Sequence, residues 1–167
     1  MAEKIYINGE VLSLKRATLS PYDHGFLYGY GLFEVIGVYR GVPFRLDRHL
    51  ARLRRSAAVL GLAAGISRLD LEAACGETLR ANPGVSRRDA IMRLTVSGGP
   101  ADLFPVSSGL RRPTVLITVQ AFQPPPVEIY RKGFTAMIAE FRRDSQSPLS
   151  RVLTTNYLTN YMAKQEA

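Results

Sequence analysis

The chain has 167 residues, of which 46% are hydrophobic and 22% are charged, and this composition indicates a globular protein with a core. Its sequence lacks the roughly 20 consecutive apolar residues of a membrane span and the apolar segment of a secretory signal. Its formal net charge of +8 permits nucleic-acid binding. Arginines scattered along the chain indicate either a solvated surface or a protein that attracts small anions, phosphates or carboxylates. The single cysteine, Cys75, excludes an internal disulfide and favours a reducing compartment, so we expect a cytoplasmic protein without membrane or nucleic-acid partners.

The first predicted elements are strands. Apolar residues alternate with polar ones before Asn8-Gly9, a two-residue turn signal, and this pattern predicts a hairpin. A longer strand is predicted over 32–39, because the segment is rich in Phe, Val, Ile and Tyr. Arg40-Gly41 is expected to turn this strand back over 42–45.

Two helices are predicted next. Apolar residues recur at spacings of three and four, which indicates an amphipathic helix ended by Gly61. The residues of this apolar face are Leu46, Leu50, Leu53, Ala57 and Leu60. A second helix is predicted over 67–81, because Ser67 and Asp70 resemble a capping box and Asn82-Pro83-Gly84 is a stop signal.

The remaining elements complete a mixed fold. Strands are predicted over 90–96 and 114–119, and the Gly-, Pro- and Ser-rich segment between them is long enough to be a binding loop or lid. The last predicted elements are a stiff linker at Pro124-Pro125-Pro126, a strand over 134–139 and a helix over 156–167. This order predicts an α+β fold with an antiparallel sheet and two flanking helices.

Arg52 is a candidate anion-binding residue on the first of the two helices. Arg48, Arg52 and Arg55 are spaced by four and three residues, so they share a face beside the apolar one. A guanidinium on a rigid helix suits a phosphate dianion, although a solvent-exposed helix charge is the alternative interpretation.

Two sequence blocks near the ends of the chain decide between these interpretations. The first contains Asp23-His-Gly-Phe-Leu-Tyr-Gly-Tyr-Gly-Leu-Phe-Glu34 and then Phe44-Arg-Leu-Asp-Arg-His-Leu-Ala-Arg-Leu53. The second is Ser150-Arg-Val-Leu-Thr-Thr-Asn-Tyr-Leu-Thr-Asn-Tyr-Met-Ala-Lys-Gln-Glu-Ala167. In this order, about 100 residues apart, they closely resemble the signatures of the fold-type IV pyridoxal-phosphate (PLP) enzymes, which include branched-chain and D-amino-acid aminotransferases and aminodeoxychorismate lyases.

The resemblance implies PLP as cofactor and a role for several residues. It implies that Arg52 binds the cofactor phosphate, that Tyr157 lies near the cofactor ring, and that Phe33 and Val35 line the substrate pocket. His24 and His49 belong to the first block, but neither has a visible partner for acid–base work, so we expect structural roles; no metal ion is expected.

The resemblance also implies two domains and a homodimer. The small α+β domain would span residues 1–122, and residues 127–167 would begin the larger cofactor-binding β-domain. The family has a further segment after this point, which supplies the carboxylate that pairs with the pyridine nitrogen. The chain is therefore expected to be a partial one.

The main departure from the family pattern is at position 153. Alignment on Asn156-Tyr157 places the catalytic lysine of the family, which bonds to the cofactor and moves the proton of the substrate α-carbon, at Leu153. None of the four lysines, at 4, 15, 132 and 164, is an obvious substitute. Three interpretations stay open: a natural lysine-less chain, an engineered one, or a modified lysine behind the one-letter code.

The resemblance leaves three functions open. The first is transfer of an amino group between an amino acid and a 2-oxo acid. The second is an aminodeoxychorismate lyase that gives 4-aminobenzoate and pyruvate, which the two-residue spacing between Leu153 and Asn156 and the segment Arg93-Leu-Thr-Val-Ser favour. The third is a lysine-less, non-catalytic homologue or a basic binding domain.

Overall fold

One antiparallel sheet organises the part of the chain that the computed structural model describes, residues 4–101 and 112–167. Its strands are β1 (Lys4–Ile7), β2 (Glu10–Ser13), β3 (Gly31–Tyr39), β4 (Val42–Pro43), β5 (Ala90–Ser97) and β6 (Thr114–Ala121). The strand order across the sheet is β2-β1-β6-β5-β3-β4. The central β3–β5–β6 unit has the longest pairings, each over eight residue pairs, and this unit supports the site described below.

The helices of the described residues are α1 (His24–Tyr28), α2 (Leu46–Val59), α3 (Ala63–Ile66), α4 (Leu71–Ala81), α5 (Pro83–Ser86), α6 (Val127–Lys132) and α7 (Leu158–Glu166), with 3₁₀ turns at Leu14–Arg16 and Pro148–Arg151. Helices α2 and α4 cover one face of the sheet. The core forms where the apolar faces of α2 and α4 meet alternate residues of β3, β5 and β6, among them Leu32, Ile36, Leu53, Leu71, Met92, Leu94 and Ile117. Cys75 is also fully buried in this core.

The opposite sheet face carries a different set of side chains. In the β3–β5 register, Phe33 is paired with Thr95, and Val35 with Arg93. Because side chains alternate across a strand, these four project away from the helix-covered core. Glu34, between Phe33 and Val35, projects to the helix side.

The structure confirms the α+β class and most of the predicted elements. The hairpin at Asn8-Gly9 joins β1 to β2, and helix α2 matches the predicted apolar periodicity. The predicted strands at 32–39, 90–96 and 114–119 correspond to β3, β5 and β6. The predicted loop or lid over 97–113 falls mainly on residues 102–111, which lie outside the described residues.

The predicted start of the second helix at Ser67 is wrong. Helix α4 begins at Leu71, and Asp70 is its N-cap because its Oδ1 accepts a hydrogen bond from the Ala73 N–H at 2.9 Å. Ser67 instead follows the separate short helix α3, and its hydroxyl donates to the Ala64 carbonyl at 3.1 Å. Both residue types favour caps, and only one of them reaches the free N–H groups of α4.

The predicted strand over 134–139 is also wrong. After α6, this segment has no strand pairing among the described residues, and Ile138 is 95% exposed. A strand needs a neighbour for its backbone N–H and C=O groups, and an apolar pattern alone does not provide one. The division at 122–127 stays a prediction, with β6 ending at Ala121 and α6 beginning at Val127.

The described residues give two findings on membrane and metal binding. Of the helices named above, none combines the length and apolar character needed to span a bilayer. Residues 4–101 and 112–167 contain no group of three or more His, Cys, Asp or Glu side chains arranged to hold a metal ion.

Candidate functional site

The two sequence blocks are in direct contact in the folded chain. The Thr155 N–H donates to the Gly31 carbonyl at 2.9 Å, and the Thr155 hydroxyl donates to the Gly29 carbonyl at 2.8 Å. A side chain at Gly31 would place its Cβ 2.8 Å from the Val96 carbonyl oxygen and 2.9 Å from the Thr155 hydroxyl oxygen. The glycines of the first block therefore let the second block approach the start of β3.

This contact fixes the backbone of position 153. The Phe33 N–H donates to the Leu153 carbonyl at 3.0 Å, and Leu32 forms an isolated antiparallel bridge with Thr154. Leu153 is thus attached to the first half of β3, on the edge opposite β5. Its side chain is half-buried beside a surface cleft.

We call this feature the Arg52 cleft. It has a volume of about 310 Å³. Its lining residues are Arg52, Ser56, Arg143, Ser150, Arg151, Val152, Leu153, Thr154, Asn156, Tyr157 and Asn160. Three of the residues predicted from sequence, Arg52, Leu153 and Tyr157, are therefore brought together at one place.

Arg52 is held in position by a buried carboxylate. Its Nε donates to Oε1 of Glu34 at 2.8 Å, and its Nη2 donates to Oε2 of the same residue. Nδ1 of His49 lies 2.7 Å from Oε2 of Glu34. Glu34 is 1% exposed and the Arg52 side chain 47%, so the pair connects the core to the cleft. The hydrogen bonds to Glu34 raise the pKa of Arg52, which keeps its charge fixed.

His49 has a partner that the sequence alone did not show. The sequence showed no partner for acid–base work at His49, and the structure places the Glu34 carboxylate within hydrogen-bonding distance of its ring. The contact agrees with a structural role for His49, because His49 and Arg52 share the carboxylate of Glu34. His24 is buried, with its ring 5.0 Å from that of Tyr28 in an edge-on arrangement.

Phe33 and Val35 lie on the other side of β3 from Glu34. The Phe33 ring contacts Tyr157 edge-to-face at 5.8 Å between centroids, and the guanidinium carbon of Arg93 lies 4.0 Å from the Phe33 centroid. Val35 is 43% exposed on the same face. Partial desolvation lowers the pKa of Arg93, and the nearby Tyr157 partly offsets this effect. Tyr157 thus lines the Arg52 cleft and also contacts Phe33, whose side chain lies on the sheet face opposite the helices.

A buried network supports the first sequence block beside this face. Asp23 caps α1 by accepting from the Gly25 N–H at 2.8 Å. Its other oxygen accepts from the hydroxyls of Ser97 at 2.9 Å and Thr114 at 2.6 Å. The carboxylate therefore ties α1 to the ends of β5 and β6, and this bond set stabilises the turn that contains Gly25 and Gly29.

The cleft fits one end of a PLP molecule and not the other. Three arginines around a cleft of this size suit a phosphate, because guanidinium groups bind oxyanions through paired N–H donors. Leucine at 153 has no amine and cannot bond to an aldehyde. The donor set at Arg52 thus agrees with the cofactor that the sequence implied, while the side chain at 153 does not.

Sequence reasoning missed four residues of this region: Glu34, Arg93, Arg143 and Arg151. A carboxylate inside the apolar strand 32–39 was a usable signal for Glu34, since a buried carboxylate needs partners and α2 follows closely. Arg93 could have been found from the same strand alternation that placed Phe33 and Val35. Arg143 had no signal, because its segment lacks periodicity.

Comparison with known proteins identifies the family. The model of the amino-transferase class IV family matches residues 31–167. The chain is 35% identical over 162 residues to an aminodeoxychorismate lyase from Bacillus subtilis, covering 97% of this chain and 54% of that protein. It is 36% identical over 167 residues to a putative branched-chain-amino-acid aminotransferase from Methanocaldococcus jannaschii, covering 98% and 55%. The chain belongs to the class IV aminotransferases, the fold-type IV family of PLP-dependent enzymes.

Solved structures agree with this assignment. A branched-chain aminotransferase from Thermoproteus uzoniensis with norvaline superposes with a TM-score of 0.81 at 27% identity, over 100% of this chain and 56% of that one. A 4-amino-4-deoxychorismate lyase from Pseudomonas aeruginosa superposes with a TM-score of 0.79 at 26% identity, over 98% and 56%. The chain spans about half the length of the relatives it matches.

Proposed function

We propose that the Arg52 cleft binds the phosphate group of PLP, and that the reaction of this protein is amino transfer between an amino acid and a 2-oxo acid. The observation that carries the proposal is the meeting of Arg52, position 153 and Tyr157 at one cleft. In bound form, PLP supplies an electron sink for charge that develops on the substrate α-carbon.

The residues of this chain have separate tasks in the proposed site. Arg52 binds the phosphate, and Glu34 keeps the guanidinium in a fixed orientation through two hydrogen bonds. Tyr157 packs against Phe33 and limits the space beside the cofactor ring. Phe33 and Val35 give the substrate pocket an apolar wall, and Arg93 adds a positive charge that suits a carboxylate.

Position 153 restricts what this chain does as written. The side chain of Leu153 neither bonds to the cofactor nor holds a proton, so it cannot act on the substrate α-carbon. We therefore propose that the chain with leucine at 153 binds the cofactor without turnover. Amino transfer is expected only when an amine stands at this position, as in the variant Leu153→Lys.

A lyase is the second candidate, because an aminodeoxychorismate lyase is among the relatives at 35% identity. Two residues, Thr154 and Thr155, separate position 153 from Asn156, which is also the lyase spacing. The two reactions differ in product, since the lyase releases pyruvate and an aminotransferase converts 2-oxoglutarate to glutamate. Assays of L153K with aminodeoxychorismate, and with amino acids plus 2-oxoglutarate, distinguish them, and absence of both activities would contradict the proposed reaction.

The phosphate site has its own test. Arg52→Ala is expected to weaken PLP binding about 10- to 100-fold, as for loss of hydrogen bonds between charged groups. Arg48→Ala is the matched control, because Arg48 lies on the same helix, is solvent-exposed and pairs only weakly with Asp47 at 3.7 Å. Equal affinities for the two variants, measured by calorimetric titration, would contradict the assignment of Arg52.

We also propose a homodimer in a reducing, cytoplasmic compartment. The dimer is supported by family resemblance, and the compartment by the single free and buried Cys75. Light scattering coupled to size-exclusion chromatography measures the first proposal directly. A monomer at micromolar concentration would contradict it.

A further inference from the structure

We propose that a second cavity of this chain binds a small organic carboxylate with an apolar body. We call it the Arg68 cavity, and its volume is about 670 Å³. Its lining residues are Tyr6, Asn8, Gly9, Ala64, Gly65, Arg68, Leu69, Asp70, Leu71, Pro100, Arg112, Pro113, Thr114 and Val115. None of them lines the Arg52 cleft, so the inference goes beyond the proposed cofactor site and does not rest on it.

Three parts of the fold form the walls of the Arg68 cavity. They are the turn between β1 and β2, the segment from α3 to the start of α4, and the residues at the start of β6. Hydrogen bonds fix the turn to β6, because the Asn8 N–H donates to the Val115 carbonyl at 3.0 Å and the Val115 N–H donates to Oδ1 of Asn8 at 2.8 Å. Helix α4 packs against β1 and β6 as well. The cavity is thus framed by packed elements, and its volume falls within the roughly 300–1,000 Å³ that is typical of small-molecule sites.

Two arginines from different parts of the chain line this cavity. Arg68 follows α3, and Arg112 precedes β6. Within the part of the chain that the structure describes, neither guanidinium has a carboxylate within 4.0 Å, whereas Arg45 and Arg52 each pair with one. A guanidinium keeps its charge at neutral pH and presents paired N–H donors that match a carboxylate. The two arginines therefore favour an anionic ligand.

The other polar groups of the cavity are compatible with a single negative charge. Oδ1 of Asn8 accepts the Val115 N–H, so the amide NH₂ of Asn8 remains as a donor. Asp70 is the one acidic side chain among the lining residues, and its Oδ1 accepts the Ala73 N–H at 2.9 Å as the cap of α4. Burial is the largest cause of the raised pKa of Tyr6, whose hydroxyl therefore stays neutral. Two guanidinium groups and one carboxylate leave one net positive charge, which suits a carboxylate better than a phosphate dianion.

The remaining lining residues indicate what the carboxylate is attached to. Ala64, Leu69 and Pro113 present apolar surface that is partly or fully exposed. Leu71 and Val115, which also line the cavity, are buried in the core. A free ion would leave this apolar surface in contact with water, whereas a carboxylate on an apolar ring or chain covers it. The cavity therefore favours an organic acid over a simple anion.

The experiment compares three small molecules that separate charge from apolar area. Benzoate, benzamide and acetate are titrated into the chain by NMR, with the methyl groups of Leu69 and Val115 as reporters. Benzoate is expected to shift both sets of resonances. Benzamide keeps the ring without the charge, and acetate keeps the charge without the ring, so each is expected to bind about 10-fold or more weakly.

Variants at exposed positions test the location of the site without disturbing the core. Arg68→Ala and Arg112→Ala are each expected to weaken benzoate binding about 5- to 10-fold. Arg88→Ala, an exposed arginine outside the cavity, removes the same charge and is expected to change the affinity by less than about twofold.

A second pair of variants changes the volume of the cavity instead of its charge. Ala64→Phe places a large side chain at the wall and is expected to weaken benzoate binding about 10-fold or more. Ala63→Phe is the matched control, because Ala63 is also exposed on α3 but does not line the cavity. Thermal unfolding midpoints show that each variant keeps the native fold.

Several results would overturn the inference. Absence of benzoate binding, or equal affinities for benzoate and benzamide, would show that the cavity does not select an anion. Equal losses in R68A, R112A and R88A would show that benzoate responds only to the overall charge. Displacement of benzoate by PLP would place it in the Arg52 cleft instead. If R52A and R48A bind PLP equally well while the benzoate results hold, only the proposed cofactor site is wrong.

Discussion

At the scale of single residues, Glu34 connects the buried sheet to the charged cleft. Its carboxylate accepts hydrogen bonds from Arg52 and contacts His49, although it is itself almost completely buried. A buried carboxylate is stable only with such partners, because it loses its hydration shell on folding. Glu34 therefore contributes to the fold and to the orientation of Arg52 at the same time.

Replacement of Glu34 by glutamine is expected to lower the free energy of unfolding by about 1–3 kcal/mol. The amide keeps the size of the side chain, but its NH₂ group faces the Arg52 and His49 donors. The Arg52 side chain is half-exposed and can form hydrogen bonds with water instead. The decrease in the free energy of unfolding is therefore smaller than for a fully buried ion pair. Urea unfolding measures the effect. Glu10→Gln, at the exposed first residue of β2, is the control and is expected to change stability by less than about 0.5 kcal/mol. Equal midpoints for the two variants would contradict the role of Glu34.

The buried thiol of Cys75 makes the stability of the chain depend on pH. Burial raises the pKa of its thiol from 9.0 to about 12, with a smaller contribution from Glu72. Between these values the unfolded chain releases the proton that the folded chain keeps, so this group lowers stability as pH rises from about 9 to about 12 and has no effect below that window. The stability advantage of the native chain over Cys75→Ala is expected to narrow between about pH 8 and pH 10.5 in denaturant unfolding. If the difference in unfolding free energy between the native chain and Cys75→Ala stayed constant with pH, burial would not raise the pKa of this thiol.

At the scale of elements, the cap of α4 distinguishes the structure from the sequence prediction. Asp70→Ala removes the hydrogen bond to the Ala73 N–H and is expected to destabilise the chain by about 0.5–2 kcal/mol. Ser67→Ala, at the position that the sequence favoured, removes only an exposed bond to the Ala64 carbonyl and is expected to change stability by less than about 0.5 kcal/mol. Thermal unfolding of both variants tests this, and a larger loss for S67A would restore the helix start that the sequence predicted.

These elements show what local sequence patterns can predict. The periodicity of α2 and the alternation of β3 were sufficient because each element buries one face against the core. The strand at 134–139 was not predictable, since a strand also needs a partner that is distant in sequence. The choice between Ser67 and Asp70 as cap depended on where α3 ends, which no short motif indicates.

The residues of the site also fall into those that a local sequence pattern predicts and those that depend on contacts between distant segments. Motif spacing indicated Arg52, position 153 and Tyr157, and the structure places all three at one cleft. The position of Arg143 depends on contacts such as its hydrogen bond to the Leu149 carbonyl at 3.2 Å, within a segment that has little regular structure. The Glu34 clamp joins residues 18 positions apart on a strand and a helix, so it emerges only when both elements pack together.

At the scale of the whole molecule, the cleft exists because residues 153–155 form hydrogen bonds with the start of β3. Gly29 adopts a left-handed conformation with φ of 64°, and a side chain there would lie 3.1 Å from the Asn156 backbone. Gly31 is more closely surrounded, by β5 on one side and Thr155 on the other. The fold and the proposed cofactor site therefore depend on the same small contact.

Gly31→Ala is expected to separate the two sequence blocks. Its Cβ would collide with the fixed Val96 carbonyl, so either β3 shifts from β5 or the 153–156 segment leaves β3, and overpacking of this kind destabilises by about 1–3 kcal/mol. We expect lower stability, faster proteolysis after residue 122 and weaker binding of PLP, because position 153 and Tyr157 move away from Arg52. Gly84→Ala in α5 is the matched control, since its Cβ would meet nothing within 4 Å and alanine favours a helix. A G31A variant that loses stability but keeps native phosphate affinity would show that Arg52 binds the ligand without the docked segment.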